Sequence, residues 1–414
     1  MATQMYDVSS ATELFPDDDR ERERCAAIVE LYRTGVLKPP LPTTPLPPPA
    51  ILPDSTVAEP EIFRIIREKL CIVVDTKNNI ANGNSNNAVY RGLHVCKVDI
   101  CGGDEEKKCC YHGQKTLAVK LIKHADFAIK NAMKLQHKLK HRGILNVYFT
   151  GECCGYLIVI TDYIEKPQHL ITADLYSYID YLDKNNIALK PDEIYDIMHQ
   201  LVDILHYLHM PSDDKGIIVH GDIKLENIVI QQDAEGKYHV YLIDFDSAVE
   251  FESNNDIRKY GSPHIGTISY MCPDCFEEYQ FKHSRKSRQT VACDIWALGC
   301  VMFSLWFPYC PFTYLVFAQK SWRQFIYNYG QYYTKHNKIP EAFFAIVIQD
   351  DVKARWYEMG LAAMHLMCRM LDTNAVTRIN IDSIMAHPFV TKRALTESEA
   401  VIFRDDVEIR CKST

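Results

Sequence analysis

Residues 217–230 read IIVHGDIKLENIVI, placing His220, Asp222, Lys224 and Asn227 in one loop between two apolar runs. A carboxylate two residues before a lysine and five before an asparagine suits phosphoryl transfer, a reaction that mostly needs positioning and charge neutralisation. In that chemistry Asp222 accepts a hydroxyl proton, Lys224 meets γ-phosphate charge and the Asn227 amide oxygen holds a metal. Downstream, YLIDFDSA ends an apolar strand at Asp244, a second hard oxygen ligand suited to Mg²⁺. Upstream, Lys120 in TLAVKLI sits on a strand with buried neighbours, where a lysine needs an anionic partner. Nucleotide phosphates would serve.

These residues need a sheet and a set of helices to hold them. From 61 to 163 the apolar runs are short and β-like (LCIVV, TLAVKLI, YLIVI), with one helical stretch at FAIKNAMKLQHKLK. After Asp174 the pattern becomes helical. In PDEIYDIMHQLVDILHYLH, residues Ile194, Ile197, Met198, Leu201, Ile204, Leu205 and Leu208 recur at helical spacing. The expected fold class is α+β: a small β-rich lobe over 61–163, then a larger helical lobe over 164–393, with a cleft between. Residues 394–414 are expected to form a C-terminal tail. Residues 1–60 read as another, with the charge run FPDDDRERER, a short helix near Cys25 to Arg33 and the proline-rich stretch 38–53. That stretch is a stiff spacer or a docking site for a proline-reading partner.

Composition narrows the class. A chain of 414 residues with 47% hydrophobic and 24% charged residues is ordinary for a soluble enzyme, and a net charge of −8 disfavours nucleic acid as a partner. Fifteen cysteines without a secretory leader point to free thiols in an intracellular, reducing compartment, cytoplasmic or nuclear. Residues 295–318 carry no charge, but Asp294 opens the run and Pro308 and Pro311 break it, so a buried helix is expected there and no membrane span.

Taken together, the motifs resemble a eukaryotic-type protein kinase over about 70–393. HGDIKLEN resembles the family's His-Arg-Asp loop, DFD its Asp-Phe-Gly and LAVK its strand-lysine motif. GTISYMCPD resembles the segment ending in Ala-Pro-Glu, DIWALG the start of the central helix and AVTRINIDSIMAHPFV the closing segment. The resemblance implies a bilobal kinase fold, ATP and Mg²⁺ as cofactors and protein substrates. It makes Asp222 the base, Lys224 the γ-phosphate contact, Asn227 and Asp244 the metal ligands and Lys120 the α/β-phosphate contact. Lys224 and the Thr267 segment resemble serine/threonine kinases. Asp274 and Arg378 would form a buried ion pair, Asp294 would hold the loop backbone, Thr161 would limit the pocket behind adenine, and Asp162 and Ile164 would bind the base.

Several positions depart from the family. Aligning Val89 with its glycine-loop valine puts Asn82, Asn84 and Asn87 where glycines belong; a polar loop with the register elsewhere is the plainer alternative. Ala132 stands where a glutamate normally pairs with the strand lysine, and Asp126 is the sole acid between Lys107 and Gly151. Gly221 replaces the arginine that reads an activation-loop phosphate, so activity is expected not to need phosphorylation of 247–265 through it. Asp246 replaces the glycine after Asp244 and Phe245. The insert with Cys96, Cys101, Cys109, Cys110 and His112 reads as a surface loop, with zinc binding as the sharper alternative. In CPDC (272–275) the thioredoxin-like spacing overlaps the kinase segment, and no redox role is expected. The glycine-poor loop, HGD and the insert resemble kinases of large DNA viruses, which would place the protein in a host cell. Two readings follow: an active serine/threonine kinase, or a pseudokinase acting as a binding module.

Overall fold

The computed structural model describes residues 62–67, 70–82, 87–94, 116–123, 125–153, 156–167, 170–252, 267–272, 275, 290–307, 358–372 and 374–411. The expected N-terminal tail, Asn84, the cysteine-rich insert and Asp274 lie outside them. The chain divides into two compact units: residues 1–130 with 146–163, and residues 131–145 with 164–414.

The first unit is built on a six-stranded sheet ordered β1-β2-β3-β4-β6-β5, whose neighbours pair antiparallel. Its strands are β1 (Ile62–Arg67), β2 (Leu70–Asn82), β3 (Asn87–His94), β4 (Thr116–Lys123), β5 (Val147–Cys153) and β6 (Tyr156–Asp162). Alternation along β4 turns Leu117 and Val119 inward, where they join Ile158 and Ile160 of β6 in an apolar cluster covered by Tyr90, Leu121, Tyr148 and Phe149. That periodicity of two fixes the register, because a slip of one residue would put Leu117 and Val119 on the opposite face. Helix α1 (Phe127–Lys138) starts at Asp126, whose carboxylate accepts the Ile129 N–H at 2.9 Å as an N-cap.

The second unit is organised by two helices. Helix α3 (Pro191–His209) follows β7 (Thr172–Asp174) and α2 (Leu175–Lys184), the latter capped by Asp174, which accepts the Ser177 N–H at 2.8 Å. Pro191 at the first helical position and Glu193, accepting the Lys190 N–H at 2.7 Å, start α3. All seven apolar residues that set its helical period are no more than 1% exposed. Each such side chain contributes roughly 1.5–3 kcal/mol on burial. Helix α4 (Val291–Trp306) is buried from Asp294 to Trp306, apolar on every side, and closes at Phe307 before Pro308. It is a core helix, as its uncharged sequence and flanking breakers lead one to expect. Among the described residues no helix is long and apolar enough to cross a membrane.

Short strands connect these helices to the loop of interest. β8 (Ile217–Val219) pairs with β11 (Val249–Phe251), and β9 (Ile228–Gln232) pairs with β10 (Tyr238–Leu242) and β7. Residues 220–227 are thereby fixed at both ends, and 243–248 run beside them. The chain closes with α5 (Gly360–Met370), α6 (Ile381–Met385), α7 (Pro388–Thr391) and α8 (Glu397–Cys411). Most of the expected C-terminal tail is therefore helix. α8 lies on α5 through Phe403, stacked at 3.7 Å on the His365 ring, and Asp406, 3.1 Å from His365 Nε2.

Candidate active site

The loop after β8 is held from beneath by one buried carboxylate. Asp294, 2% exposed at the start of α4, accepts the N–H of His220 at 2.8 Å through Oδ2 and that of Gly221 at 3.0 Å through Oδ1. His209 Nε2 on α3 lies 3.0 Å from the same Oδ2, so the carboxylate ties both core helices to the loop. Gly221 takes φ +80°, a left-handed backbone that glycine adopts without penalty.

His220 then locks the loop to the segment after β10. Its Nδ1 accepts the Asp222 N–H at 3.3 Å, which leaves the proton on Nε2 to donate to the Ile243 carbonyl at 3.2 Å. Its ring meets Phe245 edge-on at 4.7 Å, and complete burial lowers its pKa, keeping the imidazole neutral. The Ile243 N–H donates to the Asn227 carbonyl at 2.9 Å. These bonds bring Asp222, Asn227 and Asp244 onto adjoining segments of one unit. Asp244 itself has φ 63° and ψ 66°, left-handed backbone in a residue other than glycine. Such conformations persist where the surroundings enforce them and gather at functional sites.

The Asp222 carboxylate is the hub. Oδ2 receives Lys224 Nζ at 2.6 Å and Asn227 Nδ2 at 3.1 Å, while Oδ1 receives the Thr267 N–H at 2.9 Å and its hydroxyl at 2.8 Å. Lys224 also donates to Thr267 Oγ1 at 2.9 Å, and Asn227 Nδ2 donates to the Asp222 carbonyl at 2.8 Å. Asp222 and Lys224 remain partly exposed, with side chains 15% and 19% accessible. The carboxylate is thus oriented from four directions and still reachable by solvent. Thr267, in sequence only a mark of substrate class, grips the carboxylate through both its hydroxyl and its N–H, a contact that no local spacing signals.

The remaining site candidates lie in the first unit, except Ile164, which begins the second unit's segment. Lys120 is half-buried on β4, opposite Val89 on β3 and Val159 on β6. Asn82 ends β2 opposite Ala88, and Asn87 opens β3 opposite Ile122. Asp162, at the end of β6, accepts Asn146 Nδ2 at 2.8 Å and the Tyr148 hydroxyl at 2.6 Å. Ala132 is buried on α1 at 2% exposure, and Lys130 pairs with Glu152 on β5 at 2.7 Å. Arg378, 5% exposed, donates to the carbonyls of Asp372 at 2.8 Å and Ala292 at 2.7 Å.

Residues 105–390 match the protein kinase domain family, well over half of the chain. The chain belongs to the protein kinase family. Its relatives agree in kind at low identity. Serine/threonine-protein kinase PLK4 of Nematostella vectensis is 25% identical over 265 residues, covering 64% of this chain and 22% of that protein. Meiosis-specific serine/threonine-protein kinase MEK1 of Saccharomyces cerevisiae is 25% identical over 315 residues, covering 73% of this chain and 55% of that protein. Serine/threonine-protein kinase RUNKEL of Arabidopsis thaliana is 28% identical over 211 residues, half of this chain and 13% of that protein. The matches thus span little more than half of the yeast relative's length and far less of the other two. The α+β architecture, a sheet-based unit followed by a helical one, is that of the kinase fold.

Proposed function

We propose that the chain is an active serine/threonine kinase that moves the γ-phosphoryl group of ATP to a hydroxyl of a protein substrate. The observation that carries this reading is the four-way orientation of the Asp222 carboxylate by Lys224, Asn227 and the two donors of Thr267. A base must present a lone pair in fixed geometry to the proton it takes. Oδ1 already holds a hydroxyl hydrogen bond at 2.8 Å, which is the contact an incoming serine or threonine hydroxyl needs. Lys224, anchored on Oδ2, stands next to that point and would neutralise charge on the transferring group.

The donor set fits Mg²⁺. Asn227 commits its amide nitrogen to Asp222, so its amide oxygen is the atom that would ligate, and Asp244 would add a carboxylate; both are hard oxygens. Bound there, the ion would neutralise nucleotide phosphate charge. Lys120 would meet the α- and β-phosphates, Asn82, Asn84, Asn87 and Val89 would cover them, and Asp162 and Ile164 would receive the base.

A pseudokinase is the second reading, favoured by buried Ala132 in place of the helix glutamate. Purified full chain incubated with labelled ATP, Mg²⁺ and a generic protein substrate separates the two. Asp222→Asn is expected to lower the rate by about 10²–10⁴-fold, the usual worth of a general base. Wild-type incorporation no greater than that of the variant would establish the binding-module reading.

A further inference from the structure

Three thiols meet in the second unit, beneath the Thr267 segment. Cys272 and Cys275 are separated by two residues, and Cys293 is the third residue of α4. Cys293 Sγ lies 2.9 Å from Cys272 Sγ and 3.2 Å from Cys275 Sγ, and all three sulfurs fall within 4.8 Å of one another. All are free cysteines. With Gly221, Asp222, Tyr270 and Asp294 they line a cavity of about 20 Å³, which is space for one water-sized body.

Three interpretations compete for such a nest. As packing, a cysteine is a small hydrophobe, and nothing in that role draws three sulfurs together. As a redox pair, the thiols would need access to an oxidant, yet Cys272 and Cys275 are 1% and 2% exposed; reactive cysteines sit in partly open surroundings. A disulfide also joins only two sulfurs and strands the third. As a metal site, a Cys-x-x-Cys pair plus a third thiol is an ordinary donor set. Thiolates at about 2.3 Å from a tetrahedral ion stand roughly 3.8 Å apart, so these sulfurs need to spread by less than 1 Å.

We propose that Cys272, Cys275 and Cys293 bind one Zn²⁺ ion as three thiolates, with the fourth position open to water or another donor. Binding releases three protons to solvent and leaves a core of charge −1. The buried Arg378 guanidinium acts electrostatically on Cys272 and offsets part of that charge. The ion would clip the 267–275 segment, which carries Thr267 and Tyr270, to the start of α4 beside Asp294. The two supports of the Asp222 loop would then be joined by a bond that does not depend on nucleotide.

The test uses full chain produced with zinc supplied and measures bound metal by plasma mass spectrometry. About one zinc per chain is expected, falling at least tenfold in Cys272→Ser/Cys275→Ser and unchanged in Cys109→Ser/Cys110→Ser of the insert. Because the first variant could fail to fold, a second arm keeps the cluster intact. The chain carrying Cys96→Ser, Cys101→Ser, Cys109→Ser and Cys110→Ser is loaded with Co²⁺, and thiolate-to-cobalt charge-transfer absorption for three sulfurs is expected. Wild type that takes up neither ion, metal retained in the 272/275 variant, or a Cys272–Cys293 disulfide found by peptide mapping of freshly purified protein would each overturn the site.

Discussion

At the scale of single residues, Gly221 explains how the loop tolerates the loss of the family's arginine. The N–H at 221 must reach Asp294 Oδ1 with φ at +80°. Gly221→Arg would restore the motif in sequence yet force a side chain into left-handed backbone, at about 1–2 kcal/mol. Urea unfolding is expected to register that loss, with no gain of dependence on phosphorylation. Asp294 concentrates more energy: it serves the backbone of two loop residues and His209, whose Nδ1 meets no partner among the described residues. Asp294→Ala leaves these buried donors unsatisfied and is expected to cost about 3 kcal/mol or more. A midpoint shift below half that size would show that the loop finds other acceptors.

Among elements, the packing of α8 on α5 and α7 has a pH signature. His387 Nε2 lies 2.9 Å from His365 Nδ1, and Phe403 stacks against both rings. Burial, then the nearby His365 and Arg393 charges, lower the His387 pKa to about 4, against a smaller opposing pull from Glu399. The folded state then binds fewer protons than the unfolded chain between the ordinary histidine pKa near 6.5 and about 4. Stability is full above 6.5 and falls as pH drops through that window. Thermal unfolding is expected to show a falling midpoint from pH 6.5 to 4, flattened in His387→Gln; equal slopes would remove His387 as the cause.

For the whole molecule, the active-kinase reading carries a requirement that it can fail: nucleotide must bind the folded chain. Ligand at 100 times its dissociation constant adds about 2.7 kcal/mol to stability. ATP is expected to raise the unfolding midpoint, and more so with Mg²⁺ present if, as proposed, Asn227 and Asp244 ligate the ion. Asp244→Ala should abolish the difference that Mg²⁺ makes while leaving the Mg²⁺-free shift in place. No shift under any condition would remove the active-kinase reading and leave the binding-module one.

Much of this was readable from the chain alone. Short β-like apolar runs gave the strands β4 and β6, period 3.6 gave α3, and the uncharged run between Asp294 and Pro308 gave a buried helix, because the length and spacing of apolar residues encode which faces meet the core. The motifs around Asp222, Lys224, Asn227 and Asp244 were enough to point to the protein kinase family, which the match over 105–390 shows. Tertiary structure alone decided the contacts between residues far apart in sequence. It put Thr267 on the Asp222 carboxylate, made Phe403 and Asp406 part of a helix packed on His365, and gathered Cys293 with Cys272 and Cys275. The reason is physical: hydrophobic periodicity says which side of an element is covered, and only the folded backbone says which distant donor arrives at a given acceptor.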